Sequence, residues 1–279
     1  MDDKDLFWLA GLLEGEGSFF KPMPSEPNRP RITLEMTDLD TIQRVNQLFG
    51  QNYIHVIANN TIKAHWKTSY RITFRGKRAV ACMQILYPLM GIRRKWQIES
   101  AIGKHLETEH SFTQEQSFFW LVGYLEGEGS FVAAPANRPT KPSIRLNSTD
   151  EDIVRRASEI MKTTYSGPYK AQPDADPSWK LRYMSVLFSQ RAIALMQKLR
   201  PHMSARRQQQ IAEALASYQP KGLARGERHG QSKLTSEQVS QIKARLHAGE
   251  KLIYLAREYG VDQGLIWQIK AGRIWHQVD

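Results

Sequence analysis

One nine-residue segment occurs twice in this chain, and that duplication constrains the fold more than any other feature. Leu9-Ala-Gly-Leu-Leu-Glu-Gly-Glu-Gly17 returns as Leu121-Val-Gly-Tyr-Leu-Glu-Gly-Glu-Gly129, 112 residues later. The flanks keep the register. Phe7-Trp8-Leu9 through Phe19 matches Phe119-Trp120-Leu121 through Phe131, and Leu34 to Asp38 matches Leu146 to Asp150. Pro88 and Pro201 each stand five residues before an arginine pair, Arg93-Arg94 and Arg206-Arg207. Both halves also carry an Asn-Arg-Pro turn, at Asn28 and Asn137. Self-similarity of this kind predicts two copies of one structural unit.

Each copy reads as α-β-β-α-β-β-α-α. The opening helix spans about Asp5 to Glu16 and stops at Gly17, a residue suited to a left-handed helix end. Pro22 to Pro30 is a hairpin loop. The next strand alternates, with Ile32, Leu34 and Met36 inward and Arg31, Thr33 and Glu35 outward. A helix over Asp40 to Phe49 leads to a second hairpin, Tyr53 to Ala58 and Ser69 to Arg75. There Tyr70, Ile72 and Phe74 point inward and Arg71, Thr73 and Arg75 outward. Helices around Ala79 to Met90 and Arg94 to His105 close the copy. In the second copy Ser143, Arg145 and Asn147 take the outward positions. Its last strand, Lys180 to Phe188, mixes polar and apolar residues and yields no assignment of faces.

The domain boundaries follow: repeats over 1–106 and 107–218, a basic linker over 219–232, and a small all-α unit over 233–279. That unit reads as helices over Ser236 to Ala248, Leu252 to Tyr259 and Gln263 to Ala271, with Gly260-Val261-Asp262 as a tight turn. The fold class is α+β with an all-α appendage.

Charge narrows the partners. Of 279 residues, 39 are Lys or Arg against 28 Asp or Glu, a net charge of +11 that suits a polyanion. No apolar run approaches the ~20 residues that cross a bilayer, so a membrane partner is not expected. The single cysteine, Cys82, leaves no internal disulfide and no Cys-built zinc site, and reads as a small buried residue. These features suit a protein of the cytoplasm or nucleoid that is not secreted.

The repeated helix carries the chemistry. Glycine costs about 1 kcal/mol inside a helix, so Gly11, Gly15, Gly123 and Gly127 need a reason. Small residues four apart let two helix backbones approach closely, which would pack the opening helices about a pseudo-two-fold axis. Their C-terminal ends then meet. Glu16 and Glu128 sit there, at the negative ends of the helix dipoles, a placement unfavourable by roughly 0.3–1 kcal/mol. One such glutamate reads as a solvated surface residue. Two at matched positions beside packing glycines read as a divalent-cation site. Glu14 and Glu126 read as residues that cap, pair or position backbone.

Both segments resemble the LAGLIDADG motif of homing endonucleases. From about Asp5 to Tyr218 the chain is similar to the single-chain, two-repeat form of that family. The resemblance implies two pseudo-symmetric αββαββα(α) repeats that form a DNA-binding saddle in a monomer. It assigns Glu16 and Glu128 as metal-binding acids and the backbone carbonyls of Gly15 and Gly127 as further ligands, with two or more Mg2+ ions. Asp38 and Asp150 fall where the family orients its attacking water. A Thr-Asp before a helix is equally an N-cap signal, for which Asp40 and Asp152 compete. The family's basic residue falls near Arg93 or Arg94 and Arg206 or Arg207, with plain phosphate binding as the other role.

The resemblance further implies DNA contacts from Arg29, Arg31, Thr33, Glu35, Arg71, Thr73 and Arg75 in the first copy. The second copy would use Arg138, Lys141, Arg145, Asn147, Lys180 and Arg182. Arginine pairs well with guanine and asparagine with adenine, and the copies differ here, so the target would be asymmetric. The expected activity is site-specific double-strand DNA cleavage in a bacterial or phage setting, with intron RNA as a further partner. The other reading is a non-cleaving nucleic-acid binder, a group I intron maturase or a transcription regulator. Such forms usually lose the acids that are kept here. At the C-terminus, Leu255-Ala-x-x-Tyr-Gly-Val through Ile266 resembles a helix-turn-helix. Gln263, Gly264, Gln268 and Lys270 would face outward and Trp267 either core or groove. A three-helix bundle that only packs on the main unit is the alternative.

Overall fold

The computed structural model describes residues 1–27, 29–50, 52–58, 67–107, 111–170, 181–219 and 232–275. The chain forms two compact units, Met1–Tyr218 and Gln219–Asp279.

The first unit holds both repeats. Repeat 1 runs α1 (Asp3–Gly15), β1 (Ser18–Phe20), β2 (Arg31–Met36), α2 (Leu39–Phe49), β3 (His55–Ile57), β4 (Ser69–Arg75), α3 (Gly76–Leu86) and α4 (Ile92–Ile102). Repeat 2 runs α5 (Gln114–Glu128), β5 (Ser130–Val132), β6 (Ser143–Ser148), α6 (Glu151–Ile160), β7 (Tyr165–Tyr169), β8 (Arg182–Phe188), α7 (Ser189–Leu199) and α8 (Ala205–Ala216). Tight 3-10 turns at Tyr87–Leu89 and Arg200–His202, each with a proline, separate the last two helices of each copy. The two antiparallel sheets have the orders β1-β2-β4-β3 and β5-β6-β8-β7. This is the duplicated αββαββαα order expected from the sequence.

Strand alternation sets which face is covered. Ile32, Leu34, Met36, Ile72 and Phe74 are buried. Arg31, Thr33, Glu35 and Thr73 are half-buried on the opposite face, and Arg71 and Arg75 are exposed there. In repeat 2, Arg145 and Asn147 are exposed as expected. Ser143 is not: it is fully buried, and its Oγ accepts from Arg145 Nε at 3.0 Å. On β8, Ser185 and Leu187 turn to the core while Met184, Val186 and Phe188 take the other face. Ser185 Oγ donates to the Thr164 carbonyl at 3.3 Å, which satisfies the polar group inside.

The opening helices pack as their glycines require. Asp2 caps α1 by accepting from Asp5 N at 2.8 Å, and Thr113 with Gln116 forms a capping box on α5. A Cβ on Gly11 would lie 1.9 Å from the Trp120 carbonyl oxygen, and one on Gly123 would lie 1.8 Å from that of Trp8. Only hydrogen fits. The helix ends depart from expectation. Gly129 leaves α5 in an extended conformation, φ −73° and ψ 147°, and Gly17 is likewise outside the left-handed region. Glycine is required there for space, because a Cβ would stand 2.6 Å from the Leu13 carbonyl oxygen or 2.5 Å from that of Leu125. The chain folds back over its own last turn to start β1 and β5.

The second unit packs α9 (Ser236–His247), α10 (Leu252–Glu258) and α11 (Gln263–Lys270) around Val239, Ile242, Leu246, Leu255, Ile266 and Ile269. Thr235 and Gln238 form a capping box on α9, and Gly260 turns the chain with φ +62°. Among the described residues no helix is long and apolar enough to cross a membrane.

Candidate functional site

The close approach of α1 and α5 delivers two carboxylates to one place. Glu128 Cγ lies 2.9 Å from where a Gly15 Cβ would be, and Glu16 Cγ lies 2.7 Å from where a Gly127 Cβ would be. Each acid therefore reaches across the helix pair and lies on the facing glycine. Among the described residues, neither carboxylate accepts a hydrogen bond or forms an ion pair. Burial against the facing helix raises both carboxyls above their ordinary range. The Glu16 charge pushes Glu128 further up, and arginines 93, 94, 206 and 207 draw the two back down between them.

Of each arginine pair, the second member seals a helix end. Arg94 donates from Nε to the Glu14 carbonyl at 3.0 Å and from Nη2 to the Gly15 carbonyl at 2.9 Å. Arg207 repeats this on the Glu126 carbonyl at 3.0 Å and the Gly127 carbonyl at 2.7 Å. Carbonyls in a last helical turn lack intrahelical partners, and these guanidiniums supply them. Both arginines are buried. Glu14 Oε2 accepts from Gly91 N at 2.7 Å, and Glu126 accepts from Ser204 N at 2.8 Å and Ser204 Oγ at 2.5 Å. The inner acids thus hold the starts of α4 and α8, the backbone-positioning role read from the sequence.

The first member of each arginine pair crosses to the other repeat. Arg206 binds Asp38 through Nε and Nη2 at 2.6 to 2.9 Å, and Arg93 Nε binds Asp150 at 2.5 Å. Neither aspartate makes a side-chain cap bond to the helix that follows it. Asp40 and Asp152 cap the other repeat, accepting from Ala205 N and Ile92 N at 2.8 Å each, while the other oxygen of Asp40 also accepts from Thr41 N in its own helix at 2.9 Å. For Asp38 and Asp150 the N-cap reading is replaced by a cross-repeat one, because an ion pair with a facing guanidinium outweighs a local amide. Asp38 and Arg206 lie close enough to shift Glu16, and Arg93 close enough to shift Glu128. These crossed links are invisible along the chain. Their one sequence signal is the near-constant spacing between copies of the Asp and Arg-Arg positions.

The outer sheet faces carry the remaining predicted residues. On repeat 1, Glu35 accepts from Ser69 Oγ at 2.6 Å and from Arg71 at 2.6 and 2.8 Å. Thr33 and Thr73 hydroxyls lie 3.4 Å apart, and Glu26 pairs with Arg75 at 3.3 Å and Arg29 at 3.5 Å. Arg31 stacks 4.6 Å above the Phe20 ring. On repeat 2, Arg138, Lys141, Arg145, Asn147 and Arg182 are exposed, and Lys180 lies outside the described residues. In the second unit Gln263, Gly264, Trp267, Gln268 and Lys270 are all exposed on α11. Trp267 is 45% exposed with the Arg273 guanidinium 4.6 Å over its ring, so it is not part of that unit's core.

No protein-family model matches this sequence, and no curated protein matches it. Solved structures with a similar fold include the LAGLIDADG homing endonuclease I-GzeII in complex with its DNA target. It covers 78% of this chain and 99% of its own, at 11% identity and a TM-score of 0.40. The meganuclease I-AabMI bound to uncleaved DNA covers 76% and 90%, at 13% identity and a TM-score of 0.45. I-SmaMI bound to cleaved DNA covers 96% of both chains, at 8% identity and a TM-score of 0.43.

Proposed function

We propose that this chain is a metal-dependent, site-specific double-strand DNA endonuclease of the LAGLIDADG homing type, acting as a monomer on a long asymmetric target. The observation that carries this reading is the pair Glu16 and Glu128: two carboxylates without a hydrogen-bond or ion-pair partner among the described residues, brought together across a close helix pair in a chain whose two sheets both bear outward arginines. Such a pair is costly unless a cation joins it. Among the described residues no three His, Cys, Asp or Glu side chains converge on a metal position. The donors would therefore be these two carboxylates, the carbonyls of Gly15 and Gly127, and solvent or phosphate oxygens. All are hard oxygen ligands, which fits Mg2+ or a similar divalent ion. Bound there, such an ion polarises the scissile phosphate and its attacking water.

The rest is the work of the chain's own groups. Arg94 and Arg207 fix the helix ends, and so the direction of the Gly15 and Gly127 carbonyls. Asp38 and Asp150, held by Arg206 and Arg93, orient water by accepting hydrogen bonds on carboxylate lone pairs that the arginines leave open. A new bond from water oxygen to phosphorus replaces the bond from phosphorus to the leaving sugar oxygen. The outer faces bind DNA through arginines and polar side chains, and α11 of the second unit, with Gln263, Trp267, Gln268 and Lys270, adds a helix-turn-helix contact that lengthens the footprint. Intron RNA is a further ligand for the same cationic faces. The protein acts in the cytoplasm or nucleoid.

The test is cleavage of genomic or phage DNA in Mg2+. The wild type gives discrete fragments, and Glu16→Gln or Glu128→Gln loses double-strand cutting by roughly a thousandfold or more while binding persists. Double-strand cutting that survives the double substitution sinks the proposal. DNA binding without cutting by the wild type points to a non-cleaving binder.

A further inference from the structure

Strand β8 has its pattern inverted. It gives a core position to Ser185 and an outward one to each of Met184, Val186 and Phe188. The same places on β4 hold Arg71, Thr73 and Arg75, since Glu35 pairs across to Arg71 as Asn147 pairs to Met184, and Thr33 to Thr73 as Arg145 to Val186. Repeat 1 therefore presents a polar, internally paired surface where repeat 2 presents an apolar stripe. Phe188 is 48% exposed, and Met184 and Val186 are half-buried. Leaving such side chains to water forfeits their burial, so the stripe calls for an apolar occupant.

Charge selects the occupant. Among the described residues, the four strands of repeat 2 and its β5–β6 loop expose Arg138, Lys141, Arg145 and Arg182 on this half, and no carboxylate lies on the outward face. A surface that is cationic at its edges and apolar along one strand fits a polyanion bearing small apolar groups. In the DNA major groove, the one apolar group on a base edge is the C5-methyl of thymine. Asn147, directly across from Met184, is suited to the adenine of the same kind of pair.

We infer that Met184 and Val186 are specificity-determining residues that read thymine C5-methyl groups in the half-site under repeat 2. The inference rests on the DNA-binding reading above. Repeat 1, with Arg71 and Thr73 at these positions, reads its half-site without them. One half of the target then depends on thymine methyls and the other does not.

The full chain is used to select a preferred duplex from randomised DNA, and thymines are replaced by uracil in one half at a time. Uracil keeps the hydrogen-bonding edge and removes only the methyl. The expected loss is roughly three- to fourfold per contacted methyl, or about tenfold for two, in one half only. In Met184→Ala/Val186→Ser, whose melting and secondary structure are checked against wild type, thymine and uracil duplexes bind equally. A uracil effect that is absent, equal in both halves, or unchanged in the variant overturns the inference while leaving DNA binding intact. A 5-methylcytosine site that binds as tightly as the thymine site gives the stripe to methylated cytosine and overturns the thymine assignment. No enrichment of any duplex overturns the DNA-binding reading itself, and this inference with it.

Discussion

At the helix ends, the two repeats make the same bonds. Arg94 holds the Gly15 carbonyl as Arg207 holds that of Gly127, Arg93 reaches Asp150 as Arg206 reaches Asp38, and Asp152 caps α4 as Asp40 caps α8. On the outer faces they part. Repeat 1 neutralises its own arginines with Glu35 and Glu26, whereas repeat 2 spreads arginines around an apolar stripe. Duplicated chains tolerate divergence wherever the surface meets something that is not itself two-fold. On the proposed function, the two strands of a duplex have equivalent backbones, and groups that meet phosphates would stay matched. The base sequence along the duplex has no such symmetry, and faces that read bases would drift apart.

The helix pair offers the largest break in that symmetry. Gly11→Ala or Gly123→Ala should gain about 1 kcal/mol of helix propensity. Each would also drive a methyl into a backbone carbonyl less than 2 Å away. Overpacking against backbone that cannot yield should win, with a net loss of about 3 kcal/mol or more in denaturant unfolding. Equal losses at the two sites support an interface symmetric in energy as well as shape, and a neutral result at either contradicts the packing described.

Glu14 and Glu126 break the symmetry more gently. Ser204 satisfies both oxygens of Glu126, but Gly91 offers Glu14 only an amide, and Glu14 Oε1 is buried with no hydrogen bond, its ion-pair partner Arg94 Nε standing 4.0 Å away. A Cβ at position 91 would meet Ile153 Cδ1 at 2.3 Å and Asp152 Oδ2 at 2.8 Å, so a serine there would have to displace both side chains. Burial raises the Glu14 carboxyl from 4.5 to about 7. The folded state then holds this proton more tightly than the unfolded state. Stability should be greatest below about pH 4.5 with respect to this group, and should fall as pH rises through 7, by on the order of 3 kcal/mol. Glu14→Gln should flatten that slope in thermal unfolding from pH 5 to 8, and Glu126→Gln should flatten it less. Equal slopes in the two variants would contradict the asymmetry.

The smallest expected effect is electrostatic. Arg71 is already paired with Glu35, while the described partner of Arg145 is a neutral serine. If both faces bind phosphate or bases, Arg145→Ala should lower the salt slope of DNA binding by about one, and Arg71→Ala by less. Binding titrations across salt concentration decide this. A larger effect at Arg71 would show that DNA releases it from Glu35.

The sequence by itself determined the duplication, the order of elements, the packing role of Gly11 and Gly123, and the inward and outward faces of β2 and β4. These follow from spacing and period, which are local properties of a chain. It also marked Glu16 and Glu128, because the same acid stands at the same place twice. Tertiary structure alone decided what met what. Alternation failed on β8, where a satisfied serine faces the core and three apolar residues face out. The aspartates at the starts of α2 and α6 looked like local caps, and took partners in the other repeat: arginines for Asp38 and Asp150, helix-end amides for Asp40 and Asp152. Glycines 17 and 129 looked like left-handed stops and proved to be points where the chain crosses its own last turn. In each case the competing partner lies far along the chain and close in space, and an ion pair, a hydrogen bond or a steric overlap acts only at that short distance.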